Sequence, residues 1–187
     1  MNKKHQTSTF KNMKHKLIFL LLTIALTACT VKQPVKKGAV IKIQNEFNSK
    51  EVSWFKNKGT GNIKGTAKFK SRNGELLYGE QFRIELMPYS LYTEERLSNI
   101  YPHKKSDYIY LEDGVPKFIP DPEAYHETIK TFCNKNGDFE FNNLPEGKYY
   151  VIAFMIRENQ NVKTGGAMMQ KITLSENQSK LIKMDNF

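Results

Sequence analysis

From about residue 59 to the end, the chain alternates apolar and polar positions with a period of two. Ile63, Gly65, Ala67 and Phe69 alternate with Lys64, Thr66, Lys68 and Lys70, the pattern of a strand with one face buried and one in water. Asn73-Gly74 then supplies a turn whose residues tolerate positive φ, and Phe82, Ile84 and Leu86 alternate with Arg83 and Glu85. The same grammar returns at residues 129–132, at the Asn136-Gly137 turn, and at Phe139 and Phe141 between polar neighbours. Residues 149–156 are almost entirely apolar and predict a central strand covered on both faces. Ile172 and Leu174 and then residues 181–184 give the last strands, with Gly165-Gly166 read as a turn beside Met168 and Met169. Short strands joined by turns over residues 59–187 predict an all-β domain, a single β-sandwich with its own core.

Residues 88–126 break this pattern. They are too long for a plain connection and predict an inserted excursion with structure of its own. Thr93 is placed as the cap of a short helix, with Glu94 and Glu95 in the first turn where carboxylates suit the helix dipole, and Pro102 as its stop. Residues 107–120 predict a hairpin turning at Asp113-Gly114, and Asp121-Pro122 opens a helical turn through Tyr125. Six of the nine tyrosines fall in this insertion. A tyrosine offers a stacking face with a polar handle, so Tyr92, Tyr101, Tyr108 and Tyr110 are the candidate contacts for a partner. The competing expectation is that the rings build a satellite core beneath the insertion.

The N-terminal segment follows another rule. Lys14, His15 and Lys16 precede an apolar run from Leu17 to Leu26 and then Leu26-Thr27-Ala28-Cys29, the layout of a signal peptide ending in a lipobox. The run is far too short to cross a hydrocarbon core of about 30 Å. Residues 1–28 are therefore expected to be cleaved, with Met1 or Met13 as initiator, and Cys29 to carry acyl chains that hold the mature chain to a membrane. Thr30 is not the aspartate associated with inner-membrane retention, which implies the periplasmic face of an outer membrane, or the cell membrane of a single-membrane host. Residues 29–58 read as a flexible tether with one strand at residues 39–43 and with Trp54 and Phe55 docking onto the domain.

Charge changes the picture only once it is placed. The chain has a formal charge of +10, which invites nucleic acid as a partner. Lys3, Lys4, Lys11, Lys14 and Lys16 all precede Cys29, however, so half of that excess leaves with the signal. The remainder lies in the tether, where lysines suit anionic headgroups, and from Gly59 onward basic and acidic residues balance. Nucleic acid is not an expected partner. With Cys29 acylated, Cys133 is alone and no disulfide framework is possible. It reads as a partly buried strand residue without a partner base.

With the strands laid out, Gly65 to Leu86 (GTAKFKSRNGELLYGEQFRIEL) and Thr131 to Val151 (TFCNKNGDFEFNNLPEGKYYV) resemble the carboxypeptidase regulatory-like family, a transthyretin-like sandwich related in architecture to immunoglobulin-like folds. The resemblance implies architecture, since each matched residue serves a strand or a turn, and such folds host unrelated functions. The transthyretin-like hydrolases of purine breakdown end in Tyr-Arg-Gly-Ser, whereas this chain ends KMDNF. Neither a nucleophile elbow nor a phosphate loop is present, and no catalytic residue, metal or cofactor is assigned. Asp121, Glu123, His126 and Glu127 form the best metal-ligand candidate and define the alternative, a metal-assisted hydrolase of envelope polymers. The favoured expectation is a nonenzymatic binding or structural module with a protein or glycan partner in the envelope.

Overall fold

The computed structural model describes residues 38–187. The expected signal peptide, Cys29 and the first part of the expected tether lie outside these residues. Eleven strands, two short α-helices and three 3-10 turns follow in order: β1 (Val40–Lys42), α1 (Ser49–Val52), a 3-10 turn at Ser53–Lys56, β2 (Gly61–Lys70), β3 (Leu76–Leu77), β4 (Arg83–Pro88), α2 (Leu91–Ser98), β5 (Ser106–Tyr110), a 3-10 turn at Leu111–Asp113, β6 (Lys117–Ile119), a 3-10 turn at Glu123–His126, β7 (Ile129–Phe132), β8 (Asp138–Leu144), β9 (Gly147–Asn159), β10 (Val162–Leu174) and β11 (Ser179–Asp185).

The strands build a β-sandwich. One sheet is antiparallel in the order β5-β10-β9-β4-β7. In the other, β2 pairs in parallel with β11 on one side and antiparallel with β8 and β3 on the other. The period-two pattern explains the core between them. Ile63, Ala67 and Phe69 of β2, Phe139 and Phe141 of β8, and Ile182 and Met184 of β11 meet Ile84 and Leu86 of β4 and Tyr149, Val151, Ala153 and Met155 of β9. Trp54 closes one end with its ring 5.1 Å from that of Tyr149, and it passes so close to Gly147 that a Cβ there would lie 2.2 Å from the indole. Phe55 is buried, so the aromatic pair docks on the domain as expected.

β9 is buried on both faces. Its alternate residues Tyr150 and Ile152, with Met87 and Met169, point away from the inter-sheet core into a second apolar layer. That layer is roofed by the insertion and by residues expected in the tether: Ile43 is buried in it and Ile41 and Phe47 pack against it. The parallel pair β1–β6 and α2 form the outermost elements here. The strand expected at residues 39–43 is present as β1, and Ser49–Val52 and Ser53–Lys56 are also ordered elements, which corrects the expectation of a flexible tether around that strand. The Glu95 carboxylate staples them down, accepting hydrogen bonds from the Gln44 and Asn45 backbone N–H groups at 2.9 Å each.

Three local expectations are also corrected. Ser90, not Thr93, is the helix cap: its side chain accepts from the Thr93 N–H at 3.1 Å while Thr93 itself is buried. Residues 107–120 are not a hairpin, because β5 pairs with β10 whereas β6 pairs with β1. Gly165 and Gly166 lie inside β10 rather than in a turn. They are glycines because a Cβ on Gly166 would stand 2.1 Å from the Ile109 carbonyl oxygen and 2.5 Å from the Phe69 ring, a close approach that only a missing side chain permits.

Candidate functional site

The insertion's tyrosines divide by burial. Tyr92 is fully buried and Tyr101 is 3% exposed. Tyr92 donates to the Pro120 carbonyl at 2.7 Å, and its ring sits 5.0 Å from Tyr125 and 5.5 Å from Phe47 in edge-on contacts. Burial pushes the phenols of Tyr101 and Tyr125 far above their ordinary range. As partner contacts Tyr92 and Tyr101 are therefore corrected: they are the satellite core, filling the layer that β9 and β10 turn outward.

Tyr108 and Tyr110 occupy a different place. Two apart on β5, they share the face that looks toward the second sheet at its open edge. Their rings lie 6.1 and 5.7 Å from Phe69 and 5.5 Å from each other, all edge-on. The Arg72 guanidinium stacks 4.3 Å from the Tyr110 ring and is itself held by Asp113 at 2.6 Å, which fixes Tyr110 in place. Tyr108 remains 38% exposed. Charge on the neighbouring Tyr110, followed by partial burial, raises its phenol above the ordinary range, so it stays protonated and can donate a hydrogen bond.

Tyr108 borders a cleft of about 470 Å³ where the β5 edge of one sheet faces the β11 edge of the other. Buried Met168 and Met184 form its floor, with Asp107 and His103 beside Tyr108 and with Lys183, Asp185 and Phe187 opposite. The walls are tied to backbone. Asp107 accepts from the His103 N–H at 2.8 Å. Asn186 grips the end of β2, accepting from the Lys70 N–H at 2.6 Å and donating to the Lys70 carbonyl at 2.9 Å. One Asp185 carboxylate oxygen is buried and faces the Lys183 ammonium. Exposed aromatic faces beside carboxylates and a phenol donor suit a ligand with an apolar ring face and a rim of hydroxyls. Of this cleft, the sequence singled out only Tyr108. Asp185 and Phe187 escaped notice because nothing local says that the last strand returns beside β5.

Of the four metal-ligand candidates only Asp121 and His126 are brought together. Asp121 is engaged by Arg96 at 2.5 Å and by the His126 Nε2 at 2.8 Å, and the Arg96 guanidinium also stacks on Phe118 and Tyr125 at 4.4 and 4.5 Å. A fixed cation thus holds the carboxylate that a metal would need. Among the described residues no group of three or more His, Cys, Asp or Glu is placed to hold a metal ion. Cys133 is buried, and desolvation followed by the charge of Asp138 pushes its thiol up to about 11, which leaves it unreactive at neutral pH. Among the described residues no helix is long and apolar enough to cross a membrane.

No protein-family model matches the chain, and no curated protein matches it. Among solved structures it is similar to a Pseudomonas aeruginosa protein described as "a putative carbohydrate binding protein", with a TM-score of 0.58 and 19% identity over 76% of this chain and 99% of that one. At this identity the likeness is one of fold, and it sets the β-sandwich of this chain beside one of a similar build.

Proposed function

We propose that this protein is an envelope lipoprotein, held by acyl chains on Cys29 at the periplasmic face of an outer membrane or at the cell membrane of a single-membrane host, whose sandwich is a nonenzymatic module that binds a glycan. The observation that carries the binding reading is the cleft beside Tyr108, the insertion tyrosine left with an exposed face beside carboxylates and a second exposed ring, Phe187. The solved structure of similar fold, described as "a putative carbohydrate binding protein", agrees with that ligand class. The carboxypeptidase regulatory-like resemblance fits an accessory module on the same grounds. The engagement of Asp121 by Arg96 disfavours the hydrolase alternative.

Two experiments test this reading. Metabolic labelling with palmitate should mark the wild type and not Cys29→Ala, and acylation persisting in that variant sinks the anchor. Purified protein screened on an array of bacterial envelope oligosaccharides should bind at least one saccharide, with Tyr108→Ala and Asp185→Ala each abolishing the signal while the melting temperature holds. Binding that survives both substitutions, or no binding at all, removes the glycan reading.

A further inference from the structure

The two-stranded ribbon β1–β6 is parallel, with Val40 opposite Lys117, Ile41 opposite Phe118 and Lys42 opposite Ile119. Alternation sends Ile41 and Phe118 inward to the satellite core. The other four side chains point outward. Val40 is 61% and Ile119 56% exposed, and Lys42 and Lys117 are exposed beside them. Diagonal apolar and cationic pairs thus share one small flat face, and among the described residues no ion pair engages either ammonium. Of the acidic residues four positions from one of these lysines, Glu46, Asp113 and Asp121, Asp113 is held by Arg72 and Asp121 by Arg96 and His126.

A core-building role does not account for this face, because the inward residues alone seal the layer. Its composition is that of an interfacial patch, in which short apolar side chains enter the headgroup region while lysines meet lipid phosphates. Its position agrees. Only residues 30–39 separate Cys29 from β1, a stretch that spans at most about 35 Å even when fully extended. That stretch also carries Lys32, Lys36 and Lys37 and no acidic residue.

We propose that the outer face of β1–β6 is a membrane-docking surface that seats on anionic lipid. The inference builds on the anchor at Cys29 and adds to it an orientation. The ribbon lies on the far side of the five-stranded sheet from the β11-β2-β8 sheet, so the latter faces away from the bilayer and the Tyr108 cleft opens at the rim between them.

The test uses the acylated protein in vesicles of phosphatidylethanolamine and phosphatidylglycerol. An environment-sensitive fluorophore is placed at Val40→Cys, Ile119→Cys or, as a reference, at Leu181→Cys, which is 81% exposed on the opposite sheet. Quenching by spin-labelled lipid is expected at positions 40 and 119 and not at 181. Equal quenching at all three positions, or none at 40 and 119, overturns the proposal. A second measurement separates this claim from the anchor. The unacylated mature chain carrying Cys29→Ala should sediment with anionic vesicles, and K42Q together with K117Q should weaken that association roughly tenfold or more, on the scale of about 1 kcal/mol per lysine near the surface. Unchanged association in the double variant counts against the ribbon even where Cys29 proves to be acylated. Absence of acylation with lysine-dependent binding intact refutes the anchor alone.

Discussion

Tyr92 and Tyr101 on one side and Tyr108 and Tyr110 on the other come from the same insertion and the same residue type, yet their surroundings are opposite. The first pair projects from α2 and the segment after it onto the outward face of β9, where every ring is enclosed. The second pair sits on β5, an edge strand, where the sandwich is open and one ring stays accessible. Tyrosine content alone does not mark a binding surface. The layer an element joins decides whether its rings are filler or platform.

The largest separation between the two pairs should appear in stability. Tyr92→Ala removes a fully buried ring and its bond to Pro120 and should cost about 3–5 kcal/mol of unfolding free energy by chemical denaturation. Tyr92→Phe, which deletes only the hydroxyl, should cost about 1 kcal/mol. A Tyr92→Ala variant as stable as wild type would erase the distinction between core and surface rings.

Gly166→Ala tests how closely β5 is held to β10 behind Tyr108 and Tyr110. The added methyl meets the Ile109 carbonyl and Phe69, and a loss of about 1–3 kcal/mol is expected, read as a lowered denaturation midpoint. Glu95→Ala should be of similar or smaller size, about 1–3 kcal/mol, since it frees backbone donors of Gln44 and Asn45 from a charged acceptor. Its signature is local: amide exchange should speed up at residues 39–47 while β9 stays protected.

The two layers should also answer differently to acid. Burial opposes ionisation of Asp121, but its bonds to Arg96 and His126 outweigh that and hold the carboxyl below its usual range. The bonds from Tyr89 and Lys171 do the same for Glu94. A depressed folded pKa contributes stability that is present above the unfolded value, about 4, and is lost as pH falls through the folded one. The satellite layer should therefore loosen first below about pH 4, and Asp121→Asn should flatten that part of the profile when tyrosine fluorescence is followed against pH. The smallest expected stability change is that of Tyr108→Ala, within about 1 kcal/mol for a ring that is already partly in water. Its effect should appear in saccharide binding instead, and that contrast with Tyr92→Ala is the sharpest test of the division.

Much of the sandwich was legible in the chain because a strand with one wet face must alternate. β2, β4 and β8 could be read from Ile63 to Phe69, Phe82 to Leu86 and Phe139 to Phe141, and the apolar run at residues 149–156 announced a strand covered twice. What covered its second face was not legible. Ile41 and Ile43 read as part of a short strand in a lysine-rich linker, with nothing local to say what it covers, until β6 pairs with β1 and Glu95 ties down the backbone after it, contacts more than 50 residues apart in the chain. Gly165-Gly166 looked like a turn because a local reading cannot see Phe69 pressing on the strand.

What the sequence by itself determined was therefore whatever depends on near neighbours: strand periodicity, the turns at Asn73-Gly74 and Asn136-Gly137, and the concentration of tyrosines in one insertion. Tertiary structure alone decided which tyrosines were sealed, where β11 and the residues after it brought Asp185 and Phe187 beside Tyr108, and which face of β1–β6 was left to solvent. The physical reason is that burial belongs to the contact between distant segments. A side chain fixes how much it gains by leaving water, and the fold fixes whether anything is there to receive it.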